Sequence, residues 1–459
     1  MDTLLLSFII ALLPVPILAI VANAKSDTEL AFGGRNYSRW AIGLSAGATG
    51  NTGFIMTGAV GLGYSYGLSW MLLPLAWFIG DLLFWSFGPK RIYSLAVARN
   101  SETIVDLLTD NKKSTNNVFL WLISTSLCLL LLGLYIVSQW VAGTKVLESI
   151  VHLDRNLILI SIVLFVTLYS LLGSYRGSVA TDIYQAFLMI FITGTCLYLV
   201  YTFPSVGQAK DLPEGFSSLF GTMGTLVTIG FVVGWAGAAF GFGFGQPHII
   251  QRYMSAASKE EVVGARITYL LFLQFTWMGM TYFGYKLRQS GIEISDPESA
   301  VIEFLKHFGS PILTGIVLAG IFAAISSTVD SILISLSNSI ESRFRQRAKK
   351  WRLLEMLIVA GIGIATLILA MNTTASVFYI AAMAISLLGG VFAGPVLIKV
   401  IGWSHTNNSL SISLLLALVV CVVWRQVGFN SFFNEALVGI SVSVLTNYIV
   451  FSLSRRRNP

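Results

Sequence analysis

Long apolar runs separated by short polar stretches govern this chain from end to end, and each run approaches the roughly 20 residues needed to cross a bilayer. Thirteen runs are legible, near 3–23, 40–65, 68–88, 118–146, 157–174, 183–203, 221–241, 266–286, 311–339, 353–371, 375–401, 409–427 and 433–453. None of the intervening stretches has the length or the strand alternation of a soluble domain. The pattern therefore predicts an all-α membrane protein with about 13 transmembrane helices, forming a single transmembrane domain over residues 1–459. The first run lacks the basic start of a signal peptide, and the small residues around Ala22 make a weak cleavage site, so it is expected to stay as a helix.

Composition sharpens this reading. With 55% apolar and only 11% charged residues over 459 positions, the chain needs lipid as its solvent, and an ordinary soluble enzyme is excluded. Cys128, Cys196 and Cys421 fall inside apolar runs without metal-ligand spacing, so no disulfide framework is expected. His152, His248, His307 and His405 are scattered over different segments and form neither a metal cluster nor a nucleophile triad. The string GFGFG at 241–245 lies within an apolar run with no strand before it, which rules out a dinucleotide loop. No catalytic residue and no organic cofactor are expected.

Assigning the loops alternately to two sides leaves seven of the 29 basic residues (Lys145, Arg155, Lys210, Lys286, Arg288, Lys306 and Arg425) on one side and the other 22 opposite. The richer side includes Lys25, Lys112, Lys113, Arg252, Lys399, Arg455 and the basic run over 343–352. By the positive-inside rule that side is cytoplasmic, which puts the N-terminus outside and the C-terminus in the cytoplasm. The net charge of +7 then calls for no nucleic acid, only for contact with anionic membrane lipid.

Two runs are rich in glycine: the second carries Gly43, Gly47, Gly50, Gly53 and Gly58, and the seventh Gly234, Gly237, Gly241, Gly243 and Gly245. Broken backbone at membrane depth is affordable only where it lines a cavity. The two lie five segments apart, so a repeat of odd helix number must be inverted. The expected core is an inverted five-helix repeat over about 40–203 and 221–401, with helix 1 (3–23) and the helices at 409–453 peripheral. Glycines that merely permit close helix packing are the plainer alternative.

The motifs AFGGR (31–35), LSAGATGNTGF (44–54), LYIVSQWVAG (134–143), GSYRGSVATDIYQAFLMI (173–190), FGQPHIIQRYMSA (244–256) and LAGIFAAISSTVDSILIS (318–335) carry a resemblance. The chain resembles the solute:sodium symporter family, nearest its sodium/proline branch. That resemblance implies sodium-coupled symport of a small polar solute, an amino acid or organic acid, by alternating access in a bacterial plasma membrane. It implies a sodium site made by the carbonyls of Ala48, Asn51 and Ala324 with the hydroxyls of Ser327 and Thr328. It also connects Asp182, in the TDIYQ motif, with sodium handling.

Ser327 and Thr328 follow Ala324 by three and four residues and so share its helix face. Their plainer role is bonding back to helix carbonyls. Asp330, one turn beyond Ser327, joins Asp182 as a candidate ion-pathway residue, since buried carboxylates in membrane segments are costly and tend to be functional. Asp81 matches no motif and reads as a proton site or as a structural acid. Candidate solute contacts are Thr52, Gly53, Phe54, Tyr135, Gln139, Phe240 and Gln246, with Tyr135 and Gln139 sharing a face and the amides near Gly53 free to meet a carboxylate.

The chain also departs from the proline branch. Gly50 stands where that branch has an aspartate, Phe54 where it has a tryptophan, and Ala239 and Gly243 where it has aromatics. The cargo is therefore open. Two alternatives remain: a transporter-like sensor, which would need a separate signalling partner because no kinase follows Arg457, and a proton-coupled carrier.

Overall fold

The computed structural model describes residues 2–22, 33–109, 117–203, 211–344, 351–373 and 375–457. The basic residues Lys25, Lys112, Lys113, Lys210, Arg345, Arg347, Lys349 and Lys350 lie outside the described residues. The described chain is helical, with one isolated bridge between Tyr37 and Ala256. In order the helices are α1 (Thr3–Leu12), α2 (Pro14–Val21), α3 (Arg39–Gly50), α4 (Ala59–Tyr66), α5 (Leu72–Arg99), α6 (Ile104–Thr109), α7 (Val118–Glu148), α8 (Arg155–Thr202) and α9 (Thr225–Gly245). There follow α10 (Pro247–Met254), α11 (Lys259–Gln289), α12 (Ala300–Phe308), α13 (Pro311–Phe344), α14 (Trp351–Met371), α15 (Val377–Ile401), α16 (Asn407–Gln426) and α17 (Glu435–Arg457).

Ten helical runs among the described residues are long and apolar enough to cross a membrane, so the helices by themselves do not establish thirteen crossings. Two of these runs cover 46 and 48 residues, Phe54–Arg99 and Arg155–Thr202. At 1.5 Å per residue each is about 70 Å long, roughly twice a hydrocarbon core of about 30 Å. Each also contains a residue with non-helical backbone, Gly67 (φ 80°, ψ −152°) in the first and Ser174 (φ 49°, ψ −157°) in the second. α11 is 31 residues long but begins Lys-Glu-Glu and is not among the ten.

Both glycine-rich runs break where the sequence suggests. α3 stops at Gly50, and Asn51 leaves the helical region at φ −88°, ψ 80°. The chain resumes as a π turn over Phe54–Gly58, started by the Thr52 hydroxyl accepting the Phe54 amide at 3.1 Å. α9 stops at Gly245, because Pro247 has no amide hydrogen to continue the ladder and forces Gln246 into extended backbone (φ −97°, ψ 106°).

α9 packs along α5 and α15, α11 along α3 and α4, and α13 against α8, α7 and α1. α13 and α15 lie at the centre, while α1, α2, α16 and α17 keep most of their surface outward. Glycine sets the closest approaches. A methyl at Gly80 would meet the Ala236 carbonyl at 2.0 Å, and one at Gly284 would meet that of Val60 at the same distance. Gly43 and Gly47 likewise serve packing against α11, whereas at Gly50 a methyl would find nothing closer than 3.9 Å.

Candidate solute and cation site

The end of α3 and the middle of α13 meet through hydroxyls and carbonyls. Ser327 Oγ donates toward the carbonyls of Ala48 and Ala324, each at 3.1 Å, and Thr328 Oγ1 toward those of Thr49 and Ala324, also at 3.1 Å. All of these residues are fully buried. Five neutral oxygens thus come together where α3 ends, a donor set that suits a hard monovalent cation. Ala48, Ala324, Ser327 and Thr328 are brought together. Thr49 joins them and was not among the residues expected. Asn51 caps α3, its side chain donating to Thr276 Oγ1 at 2.7 Å while its Oδ1 has no partner.

A second polar cluster lies beside the first. Asp182 Oδ2 accepts from Ser45 at 2.6 Å and from Thr49 at 3.2 Å, and pairs with Arg252 Nη2 at 3.0 Å. Arg252 also donates to Ser178 at 2.7 Å and Ser331 at 2.5 Å, with its guanidinium over the Tyr175 ring. Both charges are buried, at 0% and 2% exposure, so each depends on the other. Asp182 therefore pairs with Arg252 on α10. Asp330 is buried on α13, and neither of its carboxylate oxygens has a hydrogen-bond partner.

Next to the α3 break lies a narrow pocket lined by Gly50, Thr52, Phe54, Ile55, Trp77, Trp235, Phe242, Leu273, Trp277, Phe378, Ala382 and Ile385. Trp235, Phe378 and Ala382 also border a vestibule of about 640 Å³ that opens toward residues 213–223. The indole nitrogens of Trp77 and Trp277 are buried without partners. Of the expected solute residues, Thr52 and Phe54 line this pocket. Gly53 does not offer a free amide, since its N–H donates to Gln139 Oε1 at 2.9 Å. Tyr135 is fully buried with an unpartnered hydroxyl, its ring 6.1 Å from that of His248.

Gln246 donates weakly to Ile385 O at 3.4 Å, and its Oε1 is unpartnered. Phe240 packs on Phe87 and Phe244 and is not among the residues that line the pocket. At about 100° per residue it lies roughly 200° round α9 from Phe242, so only one of the two can face inward. Trp77, Trp235, Phe242, Trp277 and Phe378 were missed, because aromatic residues on apolar helices look like lipid or core contacts. The i, i+7 spacing of Trp235 and Phe242 was the available signal.

A helix bundle broken twice around a central pocket, with a neutral oxygen cluster at one break, is the architecture of a secondary transporter. The chain belongs to the sodium:solute symporter family, whose model matches residues 31–416. It is 28% identical over 450 residues to the high-affinity proline transporter PutP of Bacillus subtilis, covering 93% of each chain. It is 26% identical over 466 residues to the sodium/proline symporter of Staphylococcus aureus strain RF122, covering 94% of this chain and 88% of that protein.

Among solved structures it superposes on a substrate-bound, outward-open Na+-coupled sialic acid symporter with a TM-score of 0.75 at 16% identity, covering 99% and 98% of the two chains. The nucleobase-cation-symport-1 transporter Mhp1 gives 0.59 at 12% identity, covering 93% and 94%, and MhsT with bound L-phenylalanine gives 0.58 at 13%, covering 90% and 99%. These likenesses assign the inverted-repeat transporter fold. The protein is an integral membrane transporter rather than an enzyme. Its family implies sodium as the coupling ion and a small molecule as the cargo.

Proposed function

We propose that this chain is a sodium-driven uptake carrier for a small amino acid or related polar solute, working by alternating access in a bacterial plasma membrane. The observation that carries this reading is the convergence of the Ala48, Thr49 and Ala324 carbonyls with the Ser327 and Thr328 hydroxyls beside an aromatic pocket. Sodium bound there would tie the α3 break to α13 and preform the pocket wall at Gly50 and Thr52. Solute and ion would then bind with coupled affinities. In this reading Asn51 adds its carbonyl to the ion, and Asp182 and Asp330 attract it along its exit route. The repeats run over about 40–203 and 221–401, and the basic excess on one side puts the C-terminus in the cytoplasm.

The relatives named as proline transporters support an amino acid cargo. The test is uptake of labelled L-proline and other amino acids into proteoliposomes under an inward Na+ gradient. Accumulation that requires Na+ and is lost in potassium is the expected result. Uptake indifferent to Na+ would sink the proposal.

A further inference from the structure

Asp81 stands apart from both polar clusters described above. It is 1% exposed in the middle of α5, and its Oδ2 has no hydrogen-bond partner. Trp77 and Trp85 lie one turn to either side of it, on the same face. Trp77 packs on Phe242 at 5.3 Å and Trp277 at 5.1 Å, and all three rings line the solute pocket. Trp85 packs on Tyr253 and Tyr269, each at 5.1 Å, and both of these tyrosines lie within electrostatic reach of the Asp81 carboxylate. The Tyr269 hydroxyl in turn lies 3.9 Å from where a side chain would begin at Gly50, in the pocket wall. Asp81 does not itself line the pocket but lies one helical turn along α5 from Trp77, behind the wall that Trp77 helps to form.

Six aromatic rings line that pocket, and among the described residues none of its lining side chains is basic. Aromatic faces attract cations, and a buried carboxylate with the neutral Trp77 indole beside it and one oxygen unpartnered is expensive unless a positive group approaches it. A bare metal ion would demand several ligands, and among the described residues no group of three or more His, Cys, Asp or Glu side chains gathers to hold one. A weakly hydrated organic nitrogen cation suits rings and a carboxylate together. An anion without such a nitrogen would face the quadrupoles and Asp81 at once. We propose that Asp81 is the counter-charge for the positively charged nitrogen of the solute, so that the pocket selects amino or alkylammonium compounds and rejects simple organic acids.

This inference rests on the transporter reading and deepens it. It is tested on the purified full chain in nanodiscs by tryptophan fluorescence titration in NaCl and in KCl. The probes are L-proline, glycine betaine, pyrrolidine and cyclopentanecarboxylate, the last having the ring and acid of proline without its nitrogen. At least one nitrogen-bearing probe should bind while cyclopentanecarboxylate does not. Asp81→Asn should weaken that binding by about thirtyfold or more. Equal or tighter binding of cyclopentanecarboxylate, unchanged affinity in Asp81→Asn, or no binding by any nitrogen-bearing probe would each overturn the assignment.

Should Asp81→Asn fail to fold, the wild-type ranking of the four probes decides. Binding that prefers the nitrogen but ignores sodium would sink the symport reading and leave the role of Asp81 standing. Sodium-dependent binding without that preference would do the reverse.

Discussion

Replacing Ser327 and Thr328 together by alanine removes two of the five oxygens at the α3 break and leaves the carbonyls of Ala48, Thr49 and Ala324 in place. With no ion bound, each hydroxyl contributes only an ordinary hydrogen bond, about 0.5–1.5 kcal/mol net, so the variant should still fold. With sodium bound, each hydroxyl meets a full charge, worth roughly 1.5–3 kcal/mol. Losing both costs about 3–6 kcal/mol of sodium affinity, a hundredfold or more in the half-saturating concentration at about 1.4 kcal/mol per tenfold. The assay is a Na+ titration of solute uptake in proteoliposomes, paired with Na+ titration of intrinsic fluorescence, since Trp77 and Trp277 line the pocket next to the α3 break. Each single alanine should shift the curve by part of the double effect. A folded double variant with unchanged half-saturating Na+ would refute the reasoning and leave the hydroxyls as helix-bonding groups.

Other expectations follow from the surrounding network. Asp182→Asn leaves the Arg252 guanidinium buried without its counter-charge, and should lower stability by about 3–5 kcal/mol. Thermal unfolding in detergent at the wild-type temperature would contradict it. Phe378→Ala removes the ring shared by pocket and vestibule and should speed solute dissociation, measurable by ligand chase. Lys145 bonds Asp296 and Glu298 at 2.8 Å each, and Glu298 also caps the first amides of α15 at Val377 and Phe378.

Asp296 in that loop is pushed up by partial burial, but the Lys145 ammonium outweighs this and holds it below its ordinary value. A carboxylate lowered in the folded state stabilises the fold above its unfolded pKa of about 3.9, and that contribution is lost as pH falls through the folded value. The Tm difference between wild type and Lys145→Met should therefore narrow as the pH drops below about 4. Its size should not exceed about 1 kcal/mol, because Asp296 is nearly half exposed. A difference that grows on acidification would contradict this.

The sequence by itself determined the apolar runs, the membrane class and the two breaks. A bilayer allows few backbone solutions, and glycine or proline in a run marks where the ladder fails: α3 ends at Gly50, and α9 ends before Pro247. The proximity of Ser327 and Thr328 to Ala324 was legible for the same reason, as a matter of helix periodicity. Which helices face each other was not. Tertiary structure alone sets the α3 break against α13, adds Thr49, and pairs Asp182 with Arg252 although 70 positions separate them along the chain. It turns Phe242 rather than Phe240 to the pocket, and lets Gln139 occupy the Gly53 amide that seemed free. Those contacts depend on the rotation of each helix about its own axis, and an apolar helix surrounded by lipid and other apolar helices carries little amphipathic signal to fix that rotation in advance.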